Sequence, residues 1–357
     1  MSETITDFLV DREDLASTDV GTRPGPALAD REVLLELQRF GFSANNITYA
    51  TLGDAMGYWR FFPAGDGSGS VPVWGYAIVR DSQAEGVEPG FRYFGYFPLS
   101  THLVAQPRKV SPRGFIDGAA HRVELPPVYQ RYVRAADDPD QALEDQQALW
   151  RPLFTTSYGA ADFIKENDAY GASTVVMTSA SSKTALGTAF CLHELGSEQK
   201  LVGLTSPGNV EFCERAGYYD RVVAYDDLAE LEDDSQILVD FAGNESILNG
   251  VAEQVGDQLR RTVIVGATHW QDRERELTDL PPGSDFFFLP IWIEKRRADW
   301  GPTEFFERSD SAWNAFAPTT EGWLTIQESR GVDGIETVYR STLSGECRPE
   351  TGHVLQF

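Results

Sequence analysis

The chain has 357 residues, a length that allows about two domains with their own cores. It carries 55 acidic and 30 basic residues, and its formal charge of −25 disfavours nonspecific attraction to nucleic acid or to anionic membranes. We therefore expect neither nucleic acid nor membrane as a partner, and we interpret the charge as a solvated acidic surface.

Targeting signals and paired cysteines are not evident in the sequence. The N-terminal residues show no basic segment followed by an apolar core. The sequence also contains no run of about 18 apolar residues, which a transmembrane span would need. Cys191, Cys213 and Cys347 are far apart and form no C-x-x-C pair. These features predict a soluble, cytoplasmic protein with reduced thiols.

The first 150 residues read as a strand-rich region. Alternating apolar residues predict strands over 31–40 and 74–80. Residues 137–145 are predicted to be an exposed acidic connection, and 149–165 to be a helix that is interrupted near Gly159.

The most informative segment is 174–190, where an apolar strand leads through a turn of small residues into a helix predicted from Gly187 to Leu195. A dinucleotide pyrophosphate must approach backbone N–H groups at a helix N-terminus, so such a turn tolerates only small side chains. The small residues at this turn are Ser179, Ala180, Ser181, Ser182 and Ala185. The glycines of a G-x-G-x-x-G turn are missing, so the motif is weak by itself.

Further short apolar runs follow at 200–206, 221–225, 236–243 and 261–266, with helical stretches between them. This alternation predicts a parallel, doubly wound sheet. The chain then ends in a predicted helix over 336–343 and a final strand that could rejoin the N-terminal sheet.

The order of these parts resembles the medium-chain dehydrogenase/reductase superfamily, most closely its zinc-free quinone and enoyl reductase branch. Residues 175–189 are similar to the A-S-G-G-V-G turn of that family, Asp240–Gly243 to its D-x-x-G strand end, and Val263–Gly266 to its V-x-V-G strand. The resemblance covers nearly the whole chain. It implies a Rossmann doubly wound parallel sheet over 151–309, and a GroES-like β-rich catalytic domain formed by 1–150 with 310–357. It also implies a homodimer.

The resemblance departs from the zinc-dependent branch. Ser43 lies near the position where that branch has a cysteine ligand, and Trp74 near its histidine ligand. We therefore expect no catalytic zinc. Without a Lewis acid, the plausible chemistry is hydride transfer to a C=C bond conjugated with a carbonyl, where hydrogen-bond donors stabilise the enolate.

NADP(H) is the cofactor that the resemblance implies. Residues 205–209 after the second strand lack the acidic side chain that would bind a ribose 2′-hydroxyl, which favours NADP(H) over NAD(H). Lys183 and Ala185 stand where the reductases carry glycine, and Lys183 could either neutralise a phosphate or block the pyrophosphate. Ser206 and Asn209 could also cap the following helix. The residues expected to bind the cofactor are Ser179, Ala180, Ser181, Ser182, Lys183, Thr184, Ala185, Ser206, Asn209, Ala242, Gly243, Gly266 and Ala267.

The catalytic candidates are Tyr58 and Tyr49 as proton donors, with Asn45 as a residue that could orient the nicotinamide or the substrate. Each tyrosine could equally be a packed core aromatic. A phenol has an ordinary pKa of about 10 and would stay protonated at neutral pH. The five histidines do not cluster at metal spacing, although His269 follows a strand end that faces the expected crevice.

Residues 285–294 are apolar and aromatic, and they are followed by the basic residues 295–297. In the family that the chain resembles, this region lines the substrate pocket and often the dimer contact, and its aromatic content indicates a small apolar or aromatic carbonyl substrate. The alternative is a buried strand without such a role. The basic residues could meet an anionic group.

Taken together, these features predict an NADP(H)-dependent, zinc-independent reductase of an α,β-unsaturated carbonyl or quinone-like compound. Two alternatives remain open. One is a lyase or isomerase on the same fold, and the other is a non-enzymatic sensor that binds NADPH.

Overall fold

The computed structural model describes residues 3–135, 141–241, 243–265 and 283–357. The chain divides into two compact units, unit 1 (Met1–Leu149 with Thr325–Phe357) and unit 2 (Trp150–Leu324). Residue 310, where the chain is expected to return to the first domain, lies inside a helix of unit 2, Glu304–Thr319.

Unit 1 is built around antiparallel strands. Its elements are β1 (Thr4–Asp11), β2 (Thr18–Pro24), β3 (Val33–Phe42), α1 (Ala44–Thr51), β4 (Ser68–Gly69), β5 (Pro72–Ser82), β6 (Arg92–Pro98), β7 (His102–Ala105), β8 (Pro107–Ser111), β9 (Gly114–Asp117), β10 (Arg131–Arg134), β17 (Thr325–Arg330), α8 (Gly331–Leu343) and β18 (Thr351–Gln356). The larger sheet has the order β17-β18-β3-β5-β6-β10-β9-β8, and a smaller one the order β2-β1-β4. The final strand β18 pairs antiparallel with β3, as predicted.

Among its described residues, unit 2 holds a six-stranded parallel sheet. Its elements are β11 (Thr174–Met177), α3 (Lys183–Glu194), β12 (Lys200–Thr205), α4 (Val210–Ala216), β13 (Arg221–Ala224), β14 (Gln236–Asp240), α5 (Glu245–Val255), β15 (Leu259–Val265), β16 (Ser284–Phe287), α6 (Leu289–Trp300) and α7 (Glu304–Thr319); helix α2 (Gln141–Glu166) runs into it from unit 1. The strand order is β13-β12-β11-β14-β15-β16. Numbered within the unit, this is the order 3-2-1-4-5-6 of the Rossmann fold.

Helix α2 corrects two expectations. The helix continues through Gly159, where an added Cβ would lie 2.6 Å from Leu289 Cδ1, so this glycine permits close packing and does not interrupt the helix. The part of the predicted acidic connection that the structure describes is helical. Glu144 and Asp145 are buried there and pair with Arg92 and Arg39; residues 137–140 lie outside the described residues.

The aromatic segment 285–294 is a strand only at its start. Strand β16 ends at Phe287, and helix α6 begins at Leu289 with Pro290 in its first turn. A proline in the first turn suits a helix because the missing N–H would have no partner inside the helix. The alternative of a buried strand therefore holds only as far as Phe287.

Candidate functional site

The ends of β11 and β14 mark the point where the order of the parallel sheet reverses, and ligands of such sheets bind outside the carboxyl ends of the strands there. Thr178, directly after β11, donates from Oγ1 to Asp240 Oδ1 at 2.6 Å. Both residues are buried. Phe241 N donates back to Thr178 Oγ1 at 3.0 Å, and Gly243 N donates to Asp240 Oδ2 at 2.8 Å. Asp240 therefore fixes both strand ends at the reversal.

The turn between β11 and α3 adopts a strained conformation without glycine. Ser179 has φ of 47°, in the left-handed region that favours glycine. Its N–H donates to Tyr225 Oη at 2.7 Å. The next residue, Ala180, donates its N–H to Leu204 O and accepts from Tyr219 Oη, each at 2.9 Å. The turn is thus held from β12 and from the residues around β13.

Helix α3 begins at Lys183, four residues before the predicted start at Gly187. Ser182 is its N-cap, and the Ser182 Oγ accepts from Ala185 N at 3.2 Å. Gly187 lies one turn further, where an added Cβ would be 2.7 Å from Ser157 Oγ. The small residues of this segment therefore serve both the turn and the packing of α3 on α2.

Lys183 is the first residue of α3, and its Nζ lies 5.0 Å from the centroid of a Trp150 ring. The backbone oxygen of Lys183 accepts from Trp150 Nε1 at 3.1 Å. Thr184 is similarly fixed, since its backbone oxygen accepts from Ser157 Oγ at 2.9 Å. The contact of the Lys183 ammonium group with the Trp150 indole is favourable. Trp150 therefore holds both the backbone and the side chain of Lys183.

The predicted residues after the second strand form a polar cluster with the turn. Asn209 Nδ2 donates to Ser181 Oγ at 3.2 Å and to Ser206 Oγ at 3.1 Å, and Thr205 Oγ1 donates to Ser181 Oγ at 3.4 Å. Ser206 and Asn209 stand at N-cap positions, but neither side chain makes a capping hydrogen bond. The alternative role as helix caps is therefore wrong for their side chains, which link the turn to the end of β12.

Of the remaining predicted cofactor residues, Gly243 has φ of 70° and lies at the Asp240 corner. Ala242, Gly266 and Ala267 lie outside the described residues, as does His269.

The three catalytic candidates lie together in unit 1. Tyr49 and Tyr58 have ring centroids 4.7 Å apart. Trp74 Nε1 donates to Tyr49 Oη at 3.2 Å, and Asn45 is a further hydrogen-bonding neighbour of this phenol. Tyr58 Oη lies 3.4 Å from Tyr129 Oη. The structure brings the three predicted residues together. It also adds Tyr129, which the sequence does not indicate.

The phenols of this cluster stay protonated in the folded protein. Burial raises the pKa of Tyr49, and the neighbouring Tyr58 adds to the shift against the hydrogen bond from Trp74. Burial also raises the pKa of Tyr58, opposed by its hydrogen bond with Tyr129. Both groups therefore remain protonated donors well above neutral pH.

The basic residues after the aromatic segment pair with carboxylates of unit 2. Arg296 is 3% exposed and donates to Asp162 from Nε at 2.6 Å and from Nη2 at 2.9 Å. Lys295 Nζ lies 2.7 Å from Asp299 Oδ2, and Arg297 Nη1 lies 3.6 Å from Glu294 Oε1. Arg296, one of the residues expected to meet an anionic ligand, is therefore already paired with a buried carboxylate.

Two absences concern only the part of the chain that the structure describes. Within it, no helix is both long enough and apolar enough to cross a membrane. No group of three or more histidine, cysteine, aspartate or glutamate residues could hold a metal ion in the same part.

Solved structures with a similar fold cover nearly the whole chain. The NADPH complex of CurA from Vibrio vulnificus matches with a TM-score of 0.62 and 11% identity over 98% of each chain. The NADPH complex of S. aureus TarJ matches with a TM-score of 0.57 and 11% identity over 99% of each chain. A mutant form of enoyl thioester reductase from Candida tropicalis matches with a TM-score of 0.58 and 11% identity, over 99% of this chain and 100% of that one.

These likenesses confirm the predicted fold class, an α/β fold with a Rossmann sheet and a β-rich unit. At the level of sequence, the model of the family DUF2855, described as a protein of unknown function, matches residues 40–348. The chain belongs to this family. No curated protein matches it in sequence.

Proposed function

We propose that the protein is an NADP(H)-dependent reductase that transfers hydride to an α,β-unsaturated carbonyl or quinone-like compound without a catalytic zinc. The observation that carries the proposal is the turn after β11. It lies at the reversal of a 3-2-1-4-5-6 sheet and is linked to a polar cluster without a carboxylate at the end of β12. Similar structures of CurA and TarJ contain NADPH, which supports the same cofactor here.

The residues of the turn fit a pyrophosphate. The side chains between Ser179 and Ser182 are small, and α3 begins directly after them. The N-terminus of an α-helix favours an anion through its dipole and its backbone N–H groups, so the start of α3 at Lys183 and Thr184 is the expected phosphate site. Ser181, Ser206 and Asn209 supply hydroxyl and amide groups for the ribose side, where an acidic residue would repel a 2′-phosphate.

NADPH, when bound, supplies the hydride. The residues of unit 1 would supply the proton, with Tyr58 or Tyr49 as donor and Asn45 as the group that orients the phenol. Their raised pKa values keep both phenols protonated, so either can donate a hydrogen bond to a developing enolate.

A titration of the full chain with NADPH and NADH tests the cofactor. Lys183→Glu should weaken NADPH binding by roughly tenfold or more if the ammonium reaches a phosphate, since a charge-assisted hydrogen bond contributes about 1.5–3 kcal/mol. Lys165→Glu is the matched control, because Lys165 is an exposed lysine at the end of α2. Equal affinities of the two variants would remove Lys183 from the site, and the absence of binding by the wild-type chain would refute the proposal.

Turnover separates the reductase from its rivals. Oxidation of NADPH in the presence of 2-cyclohexen-1-one or 1,4-naphthoquinone supports the reductase. NADPH binding without turnover of any enone would favour a sensor or a lyase that retains its cofactor. Tyr58→Phe should lower the turnover rate while the NADPH affinity stays unchanged, because the change removes only a hydroxyl group from unit 1.

A homodimer is a further part of the proposal. Strand β16 is the last in the described order of the parallel sheet and pairs with β15 on one side. Pairing of this edge with the same strand of a second copy would cover it. Light scattering at increasing protein concentration distinguishes a dimer from a monomer. We also propose a cytoplasmic location, which fractionation of cells would test.

A further inference from the structure

A pocket of about 400 Å³ lies within unit 1, and its wall includes Arg12, Asp54, Trp59, Arg60 and His121. This volume falls in the range of small-molecule sites. The lining residues are distinct from those assigned above to the cofactor or to proton donation. We propose that this pocket, the Arg12 pocket, binds a small organic oxyanion, either a carboxylate or a phosphate monoester, through Arg12 and Arg60.

Arg12 is fixed in place but lacks a full set of acceptors. Its backbone N–H donates to Gly67 O at 3.0 Å, and its guanidinium carbon lies 5.7 Å from the centroid of a Trp59 ring. The Nε atom is buried and has no hydrogen-bond partner among the described residues. The nearest carboxylate oxygen, Asp54 Oδ1, lies 3.9 Å from Nη1, which is too far for a hydrogen bond. An oxyanion in the pocket would give the Arg12 guanidinium an acceptor within hydrogen-bond distance, which Asp54 does not provide.

Trp59 gives this wall its rigidity. An added Cβ at Gly53 would lie 2.0 Å from Trp59 Nε1, and one at Gly69 would lie 2.6 Å from the same ring system. The indole is therefore held between two backbone segments and is only 3% exposed. Its contact with Arg12 orients the guanidinium toward the pocket at little further entropic cost.

Arg60 supplies a second positive charge that is free to turn toward a ligand. Its Nη2 lies 3.8 Å from Glu124 Oε2, and the side chains of this pair are 60% and 87% exposed. Exposed pairs at this distance are weak, so a ligand anion could replace Glu124. The pocket thus holds two arginines against the single carboxylate of Asp54, within a chain of formal charge −25.

His121 contributes to the pocket as a neutral group. Burial lowers the pKa of its imidazole, and the adjacent Arg122 lowers it further, against the hydrogen bond with Phe61 O and the charge of Asp117. The ring therefore carries no charge at neutral pH, and the attraction for an anion comes from the arginines.

Calorimetric titration of the full chain with phenyl phosphate, benzoate, inorganic phosphate and the neutral benzyl alcohol tests the proposal. We expect at least one of the anions to bind and benzyl alcohol not to bind. Tighter binding of phenyl phosphate assigns the site to phosphate esters, and tighter binding of benzoate assigns it to carboxylates. Absence of binding by all three anions would overturn the proposal.

Variants connect binding to the pocket. Arg12→Met should weaken anion binding by roughly tenfold or more and Arg60→Met by several-fold, because each removes a charge-assisted donor. Asp54→Asn should strengthen binding several-fold, because it removes a competing negative charge. Arg113→Met is the control, since Arg113 is an exposed arginine of unit 1 that does not line the pocket.

These variants also separate this inference from the proposed reductase. The affinity for NADPH should be unchanged in Arg12→Met and Arg60→Met. If Arg12→Met does not fold, Arg60→Met and Asp54→Asn decide the matter, since both alter exposed side chains. Anion affinities equal to that of Arg113→Met in both of these variants would overturn the proposal.

Discussion

Gly203 of β12 offers a direct test of how the turn between β11 and α3 is held. An added Cβ at this position would lie 2.8 Å from Ala180 Cβ and 3.0 Å from the Tyr219 ring. Ala180 is the turn residue that bonds to Leu204 O and to Tyr219 Oη. A Gly203→Ala variant therefore pushes the turn away from the two groups that fix it.

The expected cost has two parts. Overpacking a buried site destabilises a protein by about 1–3 kcal/mol. For a unit of this size, each kcal/mol lowers the melting temperature by about 2–4 °C. A displaced turn should also weaken NADPH binding roughly tenfold. A loss of about 1.4 kcal/mol of binding free energy gives that factor, and this is less than the contribution of one charge-assisted hydrogen bond.

Gly208→Ala is the matched control, because a Cβ added there meets nothing within 4 Å. Gly208 is exposed and lies five residues further along the same segment. Urea unfolding and calorimetric titration with NADPH should separate the two variants in both properties. If Gly203→Ala is as stable and binds NADPH as tightly as Gly208→Ala, the close contact does not constrain the turn and the argument fails.

Three further outcomes follow from buried groups. Arg296→Met leaves the buried Asp162 without its bidentate partner, so urea unfolding should show a loss of about 3–5 kcal/mol, and an unchanged stability would contradict the assignment. Burial raises the pKa of Tyr158 and Tyr339 to about 12. The contribution of these phenols to stability is complete below the ordinary phenol pKa of about 10 and is lost as the pH rises through the folded-state value. The urea midpoint should therefore fall from about pH 10 upward, and a constant midpoint would contradict this expectation. Tyr49→Phe removes the acceptor of Trp74 Nε1 and should lower the unfolding free energy by about 1–3 kcal/mol, whereas a fully stable variant would show that this hydrogen bond matters little.

The parallel sheet could be predicted because its strands are short apolar runs that are buried on both faces. Val175, Val176 and Met177 are fully buried, and the neighbouring strands show the same pattern. The pattern of apolar residues is less informative about secondary structure after Phe287, where an aromatic run continues into a helix. A local apolar count does not distinguish a buried strand from the first turns of a packed helix.

The acidic residues in the first turns of α2 differ from the expected exposed connection for another reason. Glu144 and Asp145 look solvated in the sequence, but their partners are Arg92 and Arg39, which reach them from β6 and β3. Such pairs depend on the folded topology and leave no trace in local composition. Charge runs therefore indicate exposure only where no distant arginine can pair with them.

The structure places the small residues of the predicted turn together between β11 and α3, but the sequence does not indicate the groups that hold this turn. Tyr225 follows the turn by 46 positions and Tyr219 reaches it from 39 positions away. Both contacts exist because β12 and β13 lie on the same side of β11 in the sheet. Only the strand order brings these phenols to the turn, so sequence spacing alone could not indicate them.

These two tyrosines suggest how the turn persists without glycine. A serine in the left-handed region carries a conformational cost of about 1–3 kcal/mol. Ser179 offsets this cost with a hydrogen bond from its N–H to Tyr225, and its neighbour Ala180 is held by Tyr219. The same bond occupies an N–H that a glycine-rich turn could direct to a phosphate. If NADPH binds, the phosphate must therefore depend more on the start of α3 and on Lys183 than it would in a glycine-rich turn. The contrast between Lys183→Glu and its Lys165→Glu control measures that dependence.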